Sequence, residues 1–290
     1  MAARVALCAL LLLALSACGS ARVSQFDGFA AAGIKFTDTL PAVYDQSFET
    51  SVRTDSLVLR EMRQKLPAGK DRLDEIGRSN KNLADRLAIL GDLKAHATGL
   101  RAYFVALKAL ATTDAASGLT QATKDLAAGL GKLDANIAKA TVGGLSISSF
   151  LSQAVPLAVA QYQSAALNTE LKERAAVIER ELNLQEAALA ALAATMKSDL
   201  GVQLAVQERD EIVLPYARDG SLAGDWNEKR LEGFRRRLDL GVVDAAVNAA
   251  ANLRLSYVAL VENRLDEGSM ALLIADINKL IALVEGVKAK

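Results

Sequence analysis

Leu171, Ala175, Ile178, Leu182, Gln185, Leu189, Leu192 and Met196 follow one another at alternating steps of four and three residues. Residues so spaced stay on one face of an α-helix and turn it toward a partner helix, with Gln185 as the single polar member of the seam. From Leu171 to Leu200 such a helix is roughly 45 Å long at about 1.5 Å per residue. Few compact domains hold a helix of that length, so the chain is constrained to an elongated bundle.

The same periodicity recurs in Leu83, Leu87, Leu90, Ala97, Leu100, Phe104 and Leu107. A further helix is predicted along Leu231, Phe234, Leu238, Val242, Ala245, Ala249, Leu253 and Leu260, and a short last one along Leu273, Ile277, Leu280, Val284 and Val287. No stretch alternates apolar and polar residues as a half-buried strand does. Breaks fall where helix chemistry fails. Pro67-Ala68-Gly69 ends a first helix from about Phe26, bent at Pro41; Thr112-Thr113-Asp114 ends the second; Gly143-Gly144 ends a third; Pro215 to Gly224 ends the long fourth. Asp225-Trp226-Asn227-Glu228 reads as a capping box, and Asp266-Glu267-Gly268-Ser269 opens the last helix. The expected fold is all-α: an elongated antiparallel bundle of about six helices, one of them very long and coiled-coil-like. Residues 26–290 form a single domain in this reading.

The N-terminus has its own grammar. Met1-Ala2-Ala3-Arg4 precedes an apolar run from Val5 to Leu15, and Leu15-Ser16-Ala17-Cys18-Gly19 follows. A basic start, a short apolar run and small residues before a cut site make a secretory signal peptide. The run is too short to span a bilayer, which takes roughly 20 apolar residues. Leu15-Ser16-Ala17-Cys18 resembles the lipobox of bacterial lipoproteins. The resemblance implies removal of residues 1–17, acylation of Cys18 and a lipidated tether over 18–25. In that family an aspartate directly after the cysteine retains the protein at the inner membrane. Here the position is Gly19, so the resemblance implies a lipid anchor in the outer membrane of the cell envelope. Two or more acyl chains make such an anchor stable, whereas one holds only reversibly.

The remaining composition mostly excludes. Lys plus Arg and Asp plus Glu both number 34, and the signal removes only Arg4, so nothing draws the chain to nucleic acid as a whole. Cys8 leaves with the signal and Cys18 carries lipid, so disulfides do not staple the fold. His96 is the single histidine, which excludes zinc centres built on several histidines. It sits within a helix, with no Gly-x-Ser-x-Gly turn in the chain, and is expected at a surface or interface. Gly129-Leu130-Gly131-Lys132 lacks the earlier glycine of a phosphate loop, since position 126 is Leu126. Asp71, Asp74 and Glu75, and Glu208, Asp210 and Glu211, alternate with arginines as solvated helix faces do. Arg235-Arg236-Arg237 is flanked by Glu232 and Asp239 and reads the same way. No catalytic residue, metal or cofactor is expected, and no enzyme.

Two segments remain as candidate ligand or partner surfaces. Tyr216 and Trp226 gather at the turn after Pro215, and Trp and Tyr are favoured binding anchors, although aromatics also plug bundle ends. From Ala140 to Thr169 there is no charged residue, in a chain that is 23% charged. That stretch contains Phe150, Val155 and Val159. Three readings of it stand: a helix enclosed by the bundle, the lining of a small-ligand pocket, or a concealed membrane-inserting hairpin. The last is loosely similar to the helical pore-forming toxins. The functional expectation is a membrane-anchored, non-enzymatic interaction or structural bundle of the envelope. It is held in lipid through acylated Cys18 and engages another envelope protein, with the ligand binder as the alternative.

Overall fold

The computed structural model describes residues 2–112, 121, 124–125, 128, 141–142, 145–146, 165–218, 220–238 and 241–288. Side chains are described at 24–109, 121, 124–125, 128, 174–218, 220–236 and 241–286. Helix α1 covers Ala2–Lys65 and α2 covers Lys70–Thr112. Helix α3 covers Ala165–Gln207 and continues through a π-helical turn, Glu208–Val213, into a last helical turn, Leu214–Ala217. Helices α4, α5 and α6 cover Trp226–Leu238, Gly241–Val261 and Glu267–Lys288. The fold is all-α, built of long helices packed together.

Helix ends follow local chemistry. Pro67 stops α1, and Gly69 takes φ +95°, a conformation that suits glycine. Arg72 then reaches back from α2, donating from Nε and Nη2 to the Leu66 carbonyl at 3.1 and 3.0 Å. Asp266 opens α6 by accepting the Ser269 backbone N–H at 2.6 Å, and that bond holds its carboxyl below the usual aspartate range. At α4 the expectation holds only in part. The helix starts after Asp225, but the Asp225 carboxylate meets Lys229 Nζ at 3.1 Å, and no capping bond to a helix N–H is present among the described residues.

Ion pairs and hydrogen bonds between helices give the register. Asp45 with Lys94, Asp38 with Arg101 and Asp27 with Lys108 run in opposite directions along α1 and α2, which are antiparallel. Glu186 with Arg254 and Asp244 with Lys197 do the same for α3 and α5. Tyr44 with Gln185, Ser51 with Asp199 and Glu61 with Arg209 advance together, so α1 and α3 are parallel. Most of these pairs are half-exposed and set register more than stability, at about 0–1 kcal/mol each.

The expected seam lies inside: Ala175, Ile178, Leu182, Gln185, Leu189, Leu192 and Met196 are all buried. Ala187, Ala188, Ala191 and Ala193 are buried as well, so α3 is enclosed on several sides rather than along one stripe. Alanine permits this, because its small side chain lets α1, α2 and α5 approach closely. Residues Arg174–Ala217 are long and apolar enough to cross a membrane by length and composition; here their first part packs in the core and their end, from Glu208 on, is at the surface. At one end the core is aromatic, with Phe29 edge-on to Phe104 at 5.6 Å and tilted against Tyr257 at 5.9 Å.

Three expectations are corrected. Leu87, Leu231 and Phe234 were counted on core faces, yet they are 49%, 49% and 54% exposed. Leu87 turns outward although its neighbours Arg86 and Leu90 face the bundle, and Leu231 and Phe234 lie on α4, outside the central core. The helix expected from Leu231 to Leu260 is two elements, α4 and α5. They serve different neighbours: α4 packs on α3 and its π-helical turn, and α5 on α1, α3 and α6. Finally, Thr141 and Val142 were placed in a third helix. They form instead a two-residue antiparallel ladder, Thr141 opposite Ser146 and Val142 opposite Leu145. A Gly-Gly pair between β-branched or apolar residues is a hairpin signal. Of the rest of that expected helix, the described residues Gln121, Lys124, Asp125 and Ala128 are helical, and the others lie outside the described residues.

Candidate functional site

His96 is not at the surface. It is 6% exposed, and its Nδ1 lies 2.8 Å from Glu181 Oε2, with Glu181 fully buried. Gln185 Nε2 donates to the other oxygen, Oε1, at 2.9 Å, and the Tyr44 hydroxyl donates to Gln185 Oε1. The chain of bonds Tyr44–Gln185–Glu181–His96 joins α1, α3 and α2. It explains the polar member of the apolar seam, because Gln185 receives from one side and donates to the other. The network ties three helices together in the core.

Burial, and secondarily the Glu181 charge, push the Tyr44 hydroxyl far above its ordinary value. Burial does the same to Tyr257. A raised phenol keeps its proton in the folded state after the unfolded state has lost it near pH 10. The two tyrosines therefore stabilise the fold fully below about pH 10 and progressively less above it. Stability should therefore fall as pH rises through that range, with both phenols contributing to the slope. Thermal melts between neutral and strongly alkaline pH measure this, and Tyr44→Phe should make the fall shallower. An unchanged slope in that variant contradicts the assignment.

A second polar layer lies further along α1 and α3. Ser51 Oγ donates to Asp199 Oδ2 at 2.8 Å, Thr54 Oγ1 donates to the Asp199 carbonyl, and Gln203 Nε2 donates to Thr54 Oγ1 at 2.8 Å. Arg86 Nη1 approaches Asp199 Oδ2 at 3.5 Å, and burial lowers the Arg86 guanidinium from its ordinary value while Asp199 opposes the shift. These groups also join helices.

The surface site is beyond that layer, where α3 ends. Pro215 has no N–H to bond the Glu211 carbonyl, and its ring crowds that turn. The backbone widens into the π-helical turn, and the Leu214 N–H bonds back to the Arg209 carbonyl. Such widened turns are frequent at functional sites. The Ile212 carbonyl accepts from Trp226 Nε1 at 3.2 Å, which docks the start of α4 beside the turn. Tyr216 stacks on Trp226 at 5.9 Å between ring centres, and the Arg230 guanidinium lies over the Trp226 ring at 5.6 Å.

Together these elements enclose a cleft of about 400 Å³. Leu204, Ile212, Val213 and Phe234 supply apolar walls, and Gln207, Glu208, Lys229 and Arg230 supply polar groups. Gly233 lines it too, and a Cβ built there meets no atom within 4 Å. Tyr216 is 69% exposed and Val213 51%, so the apolar surface continues onto the rim.

Of the residues singled out in the sequence, Tyr216 and Trp226 come together here as stacked neighbours. Phe150, Val155 and Val159 lie outside the described residues. Cys18 falls within α1, with its side chain outside the described set. Arg230, Gly233 and Phe234 were missed as site residues, although a step of four from Trp226 to Arg230 and steps of three and four from Arg230 to Gly233 and Phe234 put them on one face of α4. Among the described residues no cluster of three or more His, Cys, Asp or Glu could hold a metal ion. No protein-family model, no curated protein and no solved structure matches this chain, so its fold and cleft are read from its own residues alone.

Proposed function

We propose that the chain is a lipid-anchored envelope protein that acts without catalysis, holding a contact site at a distance from the membrane. One observation carries the reading. The lipobox-like cysteine and the cleft are at opposite ends of a single helix. Cys18 lies in the early part of α1, and Glu61, near its end, pairs with Arg209 of the π-helical turn at 2.6 Å. The helical path between Cys18 and Glu61 is roughly 65 Å. An anchor at Cys18 therefore sets the cleft well outside the lipid headgroups, where another envelope component can reach it.

The interior supports the same reading. Hydrogen bonds from Tyr44 to Gln185, from Gln185 to Glu181 and from Ser51 to Asp199 tie the helices together in the core, which stiffens a spacer. Rigid helices present a remote site at a defined height better than a flexible tether of equal length.

Cys18→Ala tests the anchor. The variant should lose acylation and leave the membrane fraction, while helicity and melting temperature of the body stay as they were. A variant that remains in the membrane fraction with normal processing excludes the lipid anchor. If the altered protein is soluble but misfolded, the N-terminal part of α1 is a structural element rather than an attachment.

A further inference from the structure

Three features stand out beyond the anchored-spacer reading: the His96–Glu181 network, the half-buried Arg86, and the cleft beside α4. The cleft joins a vacant volume to polar groups with spare bonding capacity. We infer that it binds an apolar α-amido carboxylate, the chemistry of a polypeptide's C-terminal residue. The inference rests on the cleft being the contact site of the anchored protein.

The argument is one of complementarity. The Arg230 guanidinium carbon lies over the Trp226 ring at 5.6 Å from its centre, a contact that spends no N–H donor on an acceptor oxygen and leaves those donors for a planar anion. Among the described residues no carboxylate pairs with Arg230, whereas neighbouring Lys229 is already held by Asp225. A carboxylate is the anion that matches the guanidinium edge in bidentate fashion. Gln207 supplies the opposite need. Its Oε1 is buried with no hydrogen-bond partner, while its Nε2 donates to Glu211. A buried acceptor calls for a donor, and an amide N–H is one. Between these groups, Ile212, Val213, Leu204 and Phe234 form an apolar wall over the bare Gly233 backbone. The space accepts one apolar side chain with part of its backbone, at the lower end of ordinary ligand sites. Glu208 also lines the cleft and repels an anion from its side, which leaves the Arg230 side for the carboxylate.

Trp226 is the chain's single tryptophan, so its fluorescence reports this cleft alone. The full-length protein in detergent, excited where tyrosine does not absorb, is titrated with N-acetyl-phenylalanine and with its uncharged amide. The acid should give a saturable change, and the amide should bind about tenfold or more weakly, as expected for loss of a charge-assisted hydrogen bond. Arg230→Gln should remove the preference for the acid. Gly233→Leu should abolish binding without loss of helicity or melting temperature, because its side chain fills free space. Equal binding of acid and amide, no saturable change with the acid, or undiminished binding in a folded Gly233→Leu protein each overturns the assignment. The readout needs no membrane, so a failure here is distinct from a failure of the Cys18 anchor.

Discussion

Replacing His96 with Leu is expected to destabilise the protein by up to about 3 kcal/mol, the usual consequence of leaving a buried hydrogen-bonding group without its partner. Glu181 is fully enclosed and has two neighbours, His96 at 2.8 Å and Gln185 at 2.9 Å. Without the imidazole one carboxylate oxygen has neither water nor donor. Typical domains are stable by about 5–15 kcal/mol, so a loss of this size is visible as a large fall in melting temperature. Glu181→Leu should cost a comparable amount, since it leaves the His96 ring nitrogen and the Gln185 amide unpaired. The double variant decides the matter. Two apolar residues of similar volume need no partners, so the pair should be more stable than either single variant. Denaturant melts of the four proteins measure it. Simple additivity of the two losses contradicts a direct Glu181–His96 coupling.

That network also marks where sequence reasoning ends. Gln185 is visible as a polar interruption of a seam, but its partners are on other helices, 141 positions away in the case of Tyr44. His96 was legible in hindsight: Leu93, His96, Ala97 and Leu100 share one helical face, and all four are buried. Its place within a helix left a surface or an interface open, and its partner Glu181 is 85 positions away. Glu181 carries no such signal, because nothing local separates an enclosed glutamate from a solvated one on a helix rich in both. By contrast the all-helical class and the seam itself were fully legible. Both depend on periodicity within one segment, which is a local property.

The surface cleft was legible in part for a related reason. Pro215 and the aromatics around it mark a turn, and Tyr216 and Trp226 do meet there. What sequence did not show is that the turn is π-helical and that α4 folds back beside it. With that geometry Arg230, Gly233 and Phe234 face the aromatics instead of solvent alone. The misassignment of Leu231 and Phe234 to the core has the same origin. An apolar face at helical spacing identifies a surface that meets something, and it does not distinguish a core from a binding site.

Glycine substitutions along the helices should separate close packing from open space, with effects of opposite sign. At Gly33 on α1 a Cβ would lie 2.6 Å from the ring of Phe104 on α2. That ring is fully buried and is braced by Phe29 and Tyr103, each 5.6 Å away between centres, so it has no free direction to retreat. Overpacking of this kind costs about 1–3 kcal/mol, more than the gain of about 1 kcal/mol that alanine brings to a helix interior. Gly33→Ala should therefore be destabilising, and Gly33→Leu should lose about 3 kcal/mol or more. Gly77 and Gly91 on α2 meet nothing within 4 Å. With no clash to oppose the propensity gain, alanine at either should stabilise by about 0.5–1 kcal/mol. Thermal and denaturant melts of the alanine variants compare these directly. Phe104→Leu supplies the internal control: it shortens the opposing side chain, so Gly33→Ala should be less harmful in that background than alone, as expected of contacting residues. If Gly33→Ala stabilises as much as Gly91→Ala does, α1 and α2 do not approach closely at this point, and the aromatic end of the core is packed otherwise.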